Sequence, residues 1–241
     1  MQIPASAAQA ALPLALPEKT RYSLDRFITS PRTQVALDAA RRFVKGDFGV
    51  LVLTGKHGTG KTHLLKGIYH GAGKNCVFLS AAALVKLDHG TRGRVLSDAG
   101  RARTVCLDDL DQMEADDGFY QRIYTLFNAL TASGGRLAVA MRASPAKATQ
   151  LPAYLTSRLL TGMVAPLQRP DGEEQKAILQ KLAADRAITL TPRAAAFILA
   201  RSHRSVGELA ALIGRLEHAL PAGAKRIGLQ LIRQVIHLNR P

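Results

Sequence analysis

The segment from Val50 to Thr62 constrains the fold of this chain more than any other part of the sequence. Val50–Thr54 reads VLVLT, a short apolar run that is typical of a buried strand. Gly55–Thr62 follows at once and reads GKHGTGKT, and the helix-forming residues His63–Leu65 come next. Strand, glycine-rich loop and helix in this order form a phosphate-binding loop. The segment therefore predicts an α/β fold that binds nucleotide phosphates.

Each fixed position of this loop has a physical role. Glycine lets backbone N–H groups turn towards phosphate oxygens that a side chain would block. Lys61 is expected to reach the β- and γ-phosphates, and the hydroxyl of Thr62 is expected to bind Mg²⁺ at the start of the helix. The predicted nucleotide-binding residues of the loop are Gly55, Gly58, Thr59, Gly60, Lys61, Thr62 and His63.

A second motif follows further along the chain. The apolar run Thr104–Leu107 ends in Asp108 and Asp109, which places two carboxylates where ligands of open α/β sheets bind. Asp108 suits a water-mediated contact to Mg²⁺, and Asp109 suits polarisation of the attacking water. An acidic surface turn is the alternative, because further acids follow the pair at Asp111, Glu114, Asp116 and Asp117.

Short apolar strands alternate with helical stretches through the first two thirds of the chain. This alternation predicts a parallel sheet with helices on both faces. After residue 170 the strand signals stop, and amphipathic segments predict a small all-helical second unit. We expect a flexible tail at 1–19, a nucleotide-binding core at 20–169 and a helical lid at 170–241. The strand candidates are Val50–Thr54, Cys76–Ser80, Thr104–Leu107, Leu137–Met141 and Gly162–Pro166.

Composition narrows the environment and the partners. The formal net charge of +15 favours an anionic partner such as nucleic acid or nucleotide, although a scattered basic surface needs no partner at all. The two cysteines, Cys76 and Cys106, lie in apolar runs and indicate a reducing, cytoplasmic compartment. No apolar run approaches the roughly 20 residues that cross a bilayer, so no membrane association is expected.

These motifs together resemble the DnaA branch of the AAA+ family, from Thr20 to the end of the chain. Arg21–Phe27 is similar to the family's entry segment, and the resemblance implies that Tyr22 and Phe27 lie over the adenine of bound ADP or ATP. Thr54–Leu65 is similar to the family's phosphate loop. Leu155–Leu159 is similar to the element that carries an arginine finger, which implies that Arg158 acts on the γ-phosphate bound by a neighbouring subunit. A salt-bridging surface arginine is the alternative for Arg158.

Two positions depart from the family pattern. The family has an acidic first sensor after its fourth strand, whereas Ala140–Pro145 contains Arg142 and no acid. The arginine of the second sensor aligns with Gly207, and Arg201 or Arg204 could substitute for it. The resemblance therefore implies weak intrinsic ATP hydrolysis and ADP as a stable ligand.

The two ends of the chain refine the resemblance. The family's replication initiator continues past the lid into a DNA-binding domain, while this sequence stops after the last lid helix, as in the short Hda branch that inactivates the initiator. Gln9, Leu12, Pro13 and Leu14 resemble the peptide by which that branch binds the sliding clamp, the β subunit of DNA polymerase III. The resemblance implies three further properties: the initiator DnaA as partner, DNA contacted through the clamp or directly, and a homo-oligomer.

Two other functions compete with this regulatory role. A helicase loader of the DnaC type has a similar core but needs an amino-terminal helicase-binding domain, for which the tail is short. A free-standing ATPase or DNA motor would use the basic charge directly, but the altered sensors argue against efficient turnover. Binding to the sliding clamp or to the replicative helicase would distinguish the first two.

Overall fold

The computed structural model describes residues 22–111, 117–201, 205–221 and 223–237. Its centre is a five-stranded parallel sheet in the order β2-β3-β4-β1-β5. The predicted α/β class is confirmed, and all five strands differ from their predicted bounds by no more than one residue. The strands are β1 (Val50–Thr54), β2 (Cys76–Ser80), β3 (Thr104–Asp108), β4 (Arg136–Met141) and β5 (Met163–Pro166).

Strand β1 lies between β4 and β5 and is covered on both faces. Leu51 and Leu53 pack into one apolar core, and Val52 packs into the other. This alternation follows from the two-residue period of a strand, which sends successive side chains to opposite faces. Because the chain order reverses on either side of β1, a crevice opens at its carboxyl end, where ligands of such sheets bind.

Helices cover both faces of the sheet, as the sequence predicts. The first core contains residues of α4, α5 and α6, and the second contains residues of α1 and α2. Short 3-10 turns lie at Leu24–Arg26 and Pro145–Lys147. The helices of this part are α1 (Gln34–Lys45), α2 (Lys61–Gly71), α3 (Ala81–Val85), α4 (His89–Ala99), α5 (Asp117–Ala132) and α6 (Ala153–Leu159).

The carboxyl-terminal part has an apolar core of its own. Its helices are α7 (Gly172–Ala184), α8 (Pro192–Arg201), α9 (Val206–His218) and α10 (Leu229–His237). Helices form most of the predicted second unit, but the expectation of an all-helical unit is incomplete. Two short strands, β6 (Thr189–Leu190) and β7 (Arg226–Ile227), pair in parallel between the helices. Strands of two residues are too short to leave a periodic pattern in the sequence.

Side chains fix the starts of the lid helices. Asp171 and Glu174 form a complete capping box on α7, in which each side chain accepts a hydrogen bond from the backbone N–H of the other residue. Thr191 accepts a hydrogen bond from the N–H of Ala194 at the start of α8, where Pro192 occupies the first helical position. Ser205 caps α9 in the same way through the N–H of Glu208.

Candidate nucleotide-binding site

The glycine-rich loop lies at the carboxyl end of β1, between Thr54 and the start of α2. Gly58 and Gly60 have φ angles of 78° and 101°, in the left-handed region that favours glycine. At Gly55 an added Cβ would lie 2.3 Å from the carbonyl oxygen of Leu167, so no larger side chain fits there. The conformation and close packing of the loop therefore require glycine at these motif positions.

Lys61 is buried at the first position of α2, with 5% of its surface exposed. Its ammonium group donates hydrogen bonds to the carbonyl oxygens of Gly55, at 2.7 Å, and Lys56, at 3.2 Å. Burial lowers the pKa of Lys61, and the charges of Asp109 and Asp108 partly offset this effect. A desolvated cation inside a glycine loop is suited to bind phosphate oxygens.

Other contacts hold the loop against the rest of the protein. The hydroxyl of Thr59 donates to the carbonyl oxygen of Lys56 at 3.0 Å, across the turn. The N–H of Gly55 donates to the carbonyl oxygen of Met141 at the end of β4. Arg169 lies in the segment that joins the core to the lid, and its Nε donates to the carbonyl oxygen of His57 at 3.1 Å. The loop is thus fixed from the neighbouring strand and from the lid side.

Asp108 is the last residue of β3, and it and Asp109 lie close enough to Lys61 for their charges to raise its pKa. Asp108 is buried, and the pKa of its carboxyl is raised, first by desolvation and then by the charge of Asp109, while a hydrogen bond with Thr62 and the charge of Lys61 oppose the rise. Asp109 has a φ angle of 58°, a conformation that non-glycine residues adopt mainly where the surroundings enforce it. The structure therefore brings both carboxylates to the phosphate loop.

The environment of Asp108 fits a divalent cation. Its Oδ1 is buried and has no hydrogen-bond partner among the described residues, which is costly for a carboxylate oxygen. The side chain of Thr62 interacts with the same carboxyl group and lowers its pKa. A hydroxyl next to a buried carboxylate matches the oxygen donors that Mg²⁺ prefers beside phosphates. No cluster of three or more His, Cys, Asp or Glu side chains that could hold a metal occurs in the described part of the chain.

An aromatic group formed by Tyr22, Phe27 and His63 covers the start of α2. The rings of Tyr22 and Phe27 each lie 5.4 Å from the ring of His63, in edge-on geometry. Phe27 is buried, and an added Cβ at Gly60 would lie 2.9 Å from its ring. The entry segment therefore packs directly on the phosphate loop, where an adenine ring would find aromatic neighbours.

Asp111 and Arg142 belong to the same edge of the sheet, and sequence reasoning assigned no role to Asp111. The carboxylate of Asp111 is buried and accepts hydrogen bonds from the backbone N–H groups of Arg142, at 2.7 Å, and Ala143, at 2.8 Å. The charge of Arg142 acts on Lys61 and lowers its pKa. Asp111 thus fixes the backbone of the segment after β4, which contains Arg142. The two residues are far apart in sequence, so no local sequence signal reveals this contact.

The lid approaches the loop through Ser205. An added Cβ at Gly58 would lie 2.4 Å from the Cβ of Ser205, so the start of α9 lies against the loop. Gly207 follows two residues later, and an added Cβ there would meet nothing within 4 Å. The guanidinium of Arg201 lies 4.0 Å from the centroid of the Phe197 ring, and Arg204 lies outside the described residues.

We expect an arginine at position 207 to strengthen ATP binding. Position 207 is open and lies two residues after Ser205, which contacts the loop, so the guanidinium of Gly207→Arg has room to extend towards a bound phosphate. Charge-assisted hydrogen bonds contribute about 1.5–3 kcal/mol, or about tenfold or more in affinity. The measurement is the dissociation constant of ATP relative to ADP. Gly207→Ala is the matched control, because it adds a Cβ without charge. Equal ATP preference in the two variants would show that position 207 does not face the γ-phosphate.

Arg158 lies at the opposite edge of the sheet. It lines the same cavity as Val50 at the start of β1, whereas the phosphate loop follows Thr54 at the end of this strand. Its guanidinium is exposed, lies 5.9 Å from the centroid of the Tyr124 ring and hydrogen-bonds with Tyr124, which lowers the pKa of that phenol. Arg158 therefore cannot contact a nucleotide in its own loop, and it is presented at the surface.

Some predicted features fall outside this description. Gln9, Leu12, Pro13 and Leu14 lie outside the described residues, and so does the Arg21 end of the entry segment. Among the helices that the structure describes, none has the length and apolar character needed to cross a bilayer.

Sequence families match the two parts of the chain separately. Residues 18–166 match the family model of the bacterial DnaA ATPase domain, and residues 172–236 match that of the Hda lid domain. The replication initiator DnaA of Sphingopyxis alaskensis is 30% identical over 242 residues, covering 94% of this chain and 53% of its own length. DnaA of Citrifermentans bemidjiense is 25% identical, and the match covers 90% of this chain and 50% of that protein. The chain thus spans about half the length of the curated relatives it matches.

Solved structures agree on the fold. Domain III of Thermotoga maritima DnaA has a TM-score of 0.76 at 21% identity, with 90% of this chain and 95% of that chain covered. AMPPCP-bound DnaA from Aquifex aeolicus has a TM-score of 0.72 at 20% identity, and the match covers 82% of this chain and 64% of that chain. A variant of the T. maritima protein RuvB has a TM-score of 0.69 at 19% identity, and the match covers 92% of this chain and 73% of that chain.

The sheet order, the phosphate loop at the end of its β1 strand and the helical lid define a nucleotide-binding protein of the AAA+ class. The match to the DnaA ATPase domain extends over more than half of the residues. The chain belongs to the DnaA family of AAA+ proteins, and its lid is of the Hda type.

Proposed function

We propose that this chain is an Hda-like regulator of replication initiation. It binds an adenine nucleotide with Mg²⁺, binds the sliding clamp through Gln9, Leu12, Pro13 and Leu14, and stimulates ATP hydrolysis by the initiator DnaA through Arg158. The observation that carries the proposal is the position of Arg158, exposed at the edge of the sheet that is remote from its own phosphate loop. The combination of a DnaA-type core with an Hda-type lid supports it.

The proposed nucleotide site uses the side chains gathered at the carboxyl edge of the sheet. Lys61 and the loop N–H groups hold the phosphates, Thr62 and Asp108 hold Mg²⁺, the latter through water, and Tyr22, Phe27 and His63 contact the adenine. Mg²⁺, when bound, neutralises charge on the β- and γ-phosphates. Asp109 orients the attacking water. DnaA bound to AMPPCP has a similar fold, which is consistent with ADP or ATP as the ligand here.

The proposed action on the initiator requires a guanidinium that enters another protein's nucleotide site. An arginine finger stabilises the charge that develops on the γ-phosphate, and a planar, permanently charged group is needed for this role. Arg158 lies in the last turn of α6, and contact with Tyr124 restricts its side chain. A finger that is partly ordered before docking loses less side-chain entropy on binding.

The test of the whole proposal is a hydrolysis assay with clamp-loaded DNA, purified initiator and labelled ATP. The wild-type chain is expected to raise the initiator's rate of hydrolysis in the presence of the loaded clamp. If it leaves that rate unchanged, the regulatory function is wrong. Binding to the replicative helicase without binding to the clamp would favour a helicase loader.

Replacing Gln9, Leu12 and Leu14 together by alanine is expected to abolish clamp binding. The change removes one hydrogen-bonding amide and two apolar anchors, and a few anchors dominate the affinity of such short peptides. ADP binding by the core is expected to stay normal, and it serves as the control for folding. Clamp binding measured by surface plasmon resonance checks the prediction, which an unchanged dissociation constant would contradict.

A further inference from the structure

A cavity of about 530 Å³ opens at the amino-terminal edge of the sheet, away from the phosphate loop. It lies between the ends of α1, α5 and α6 and the starts of β1 and β4. Its floor is apolar, since Phe127, Leu130 and Leu137 are each at most 5% exposed. The volume lies in the range of small-molecule sites, which is about 300–1,000 Å³. The cavity is therefore large enough to hold a ligand the size of a nucleotide.

The charges around the cavity have one sign. Lys45, Arg103, Arg136 and Arg158 line it, and no aspartate or glutamate of the described residues does so. The nearest acid in the sequence, Asp47, is paired with Arg42, whose Nε lies 2.9 Å from the Asp47 carboxylate. A concave surface lined by one sign of charge raises the local concentration of counter-ions. The cavity therefore favours anions.

Arg136 supplies a fixed cation at the base of this group. Its guanidinium donates hydrogen bonds to the carbonyl oxygens of Phe43 and Val44 at the end of α1, and to the hydroxyl of Thr104. These acceptors are all neutral, so its full charge persists. Its field reaches Cys76, where it helps to lower the pKa of the thiol.

Stabilisation of helix ends accounts for only part of this group of cations, since Lys45 lies in the last turn of α1 and Arg158 in that of α6, whereas Arg103 lies just before β3. The carboxyl ends of helices attract cations, and Arg136 fills this role for α1. Lys45 and Arg103 are exposed, and among the described residues neither side chain has a hydrogen-bond or ion-pair partner. Two unpaired cations at the rim of a cavity that already contains a fixed arginine leave its positive charge uncompensated.

We propose that this cavity binds a small phosphate-bearing anion, with two or more negative charges next to an apolar or aromatic body, between Lys45, Arg103 and the fixed Arg136. Phosphate groups match guanidinium and ammonium donors, and the apolar floor accommodates the uncharged part of the ligand. The site is separate from the phosphate loop, from which the length of β1 divides it.

Pyrophosphate is the probe for this site, and the protein is first saturated with ADP so that the phosphate loop is occupied. We expect isothermal titration calorimetry to detect pyrophosphate binding by the wild type. The double change Lys45→Gln and Arg103→Gln is expected to weaken it at least about tenfold, since it removes two charge-assisted contacts to the phosphates. The variants keep Arg158, so their result does not depend on the proposed arginine finger.

Two matched controls distinguish binding at this cavity from non-specific attraction by the positive charge of the whole protein. Lys181→Gln with Lys225→Gln removes the same charge from exposed positions of the lid and is expected to leave pyrophosphate binding unchanged. Thr161 lines the cavity. Thr161→Asp introduces a negative charge that repels the anion and is expected to abolish binding, whereas Thr161→Asn, which has the shape of aspartate without its charge, is expected to retain it. This second pair remains informative if the double variant proves unstable.

Three results would overturn the proposal. One is the absence of pyrophosphate binding by the ADP-saturated wild type. Another is equal weakening in the double variant and in its lid control. The third is binding of single-stranded or duplex oligonucleotides that depends on Lys45 and Arg103 when pyrophosphate does not bind, which would assign these cations to a nucleic-acid backbone instead.

Discussion

Replacing Lys61 by alanine is expected to weaken binding of ADP and ATP by about 30-fold to 150-fold, corresponding to about 2–3 kcal/mol for charge-assisted hydrogen bonds. The side chain is 5% exposed and lies inside the glycine loop, where its charge acts with little screening by water. Calorimetric titration with each nucleotide in the presence of Mg²⁺ measures the effect.

Lys56→Ala is the matched control for this change. Lys56 lies in the same loop, but its side chain is exposed, and only its backbone carbonyl oxygen is bonded to Lys61. Its replacement should leave affinity within about twofold, since exposed charges contribute little. Thermal unfolding of both variants reports whether the loop stays folded. If Lys61→Ala binds both nucleotides as well as the wild type does, the assignment of the phosphate loop is wrong.

Replacing Arg158 by alanine is expected to reduce stimulated hydrolysis by the initiator roughly a thousandfold, because arginine fingers contribute about 10³–10⁵ in rate. Binding of ADP by this chain itself should not change, since Arg158 lies at the opposite edge of the sheet. Arg158→Lys should fail almost as completely, because an ammonium group lacks the planar pair of donors. The assay is hydrolysis of labelled ATP by the initiator on clamp-loaded DNA.

Tyr124→Phe tests how Arg158 is positioned. The change removes the phenol oxygen that hydrogen-bonds with Arg158 and keeps the ring that the guanidinium contacts. A reduction of severalfold in stimulated hydrolysis, with normal clamp binding, is expected from loss of one hydrogen bond of about 1 kcal/mol. Stimulation that survives in both Arg158→Ala and Arg158→Lys would rule out the finger.

Much of the core was predictable because its signals are local. The strands β1 and β2 have the predicted bounds, since a buried parallel strand leaves a continuous apolar run in the sequence. The phosphate loop and the pair Asp108 and Asp109 were also readable, because glycine, lysine and carboxylates occur there at fixed positions beside such runs. The lid strands β6 and β7 were not, because each has two residues and exists only through pairing with the other.

The sequence by itself determined the class of fold, the phosphate loop and the acids that follow β3, since each depends on residues that are adjacent in the chain. Only the tertiary structure decided which distant groups meet. Asp111 fixes the backbone of Arg142 after another strand, and Arg158 is held apart from its own loop by the length of β1. The cations Lys45, Arg103 and Arg136 gather at one cavity for the same reason. Parallel strands bring residues that are far apart in sequence to a common edge, and this register depends on packing of the whole sheet.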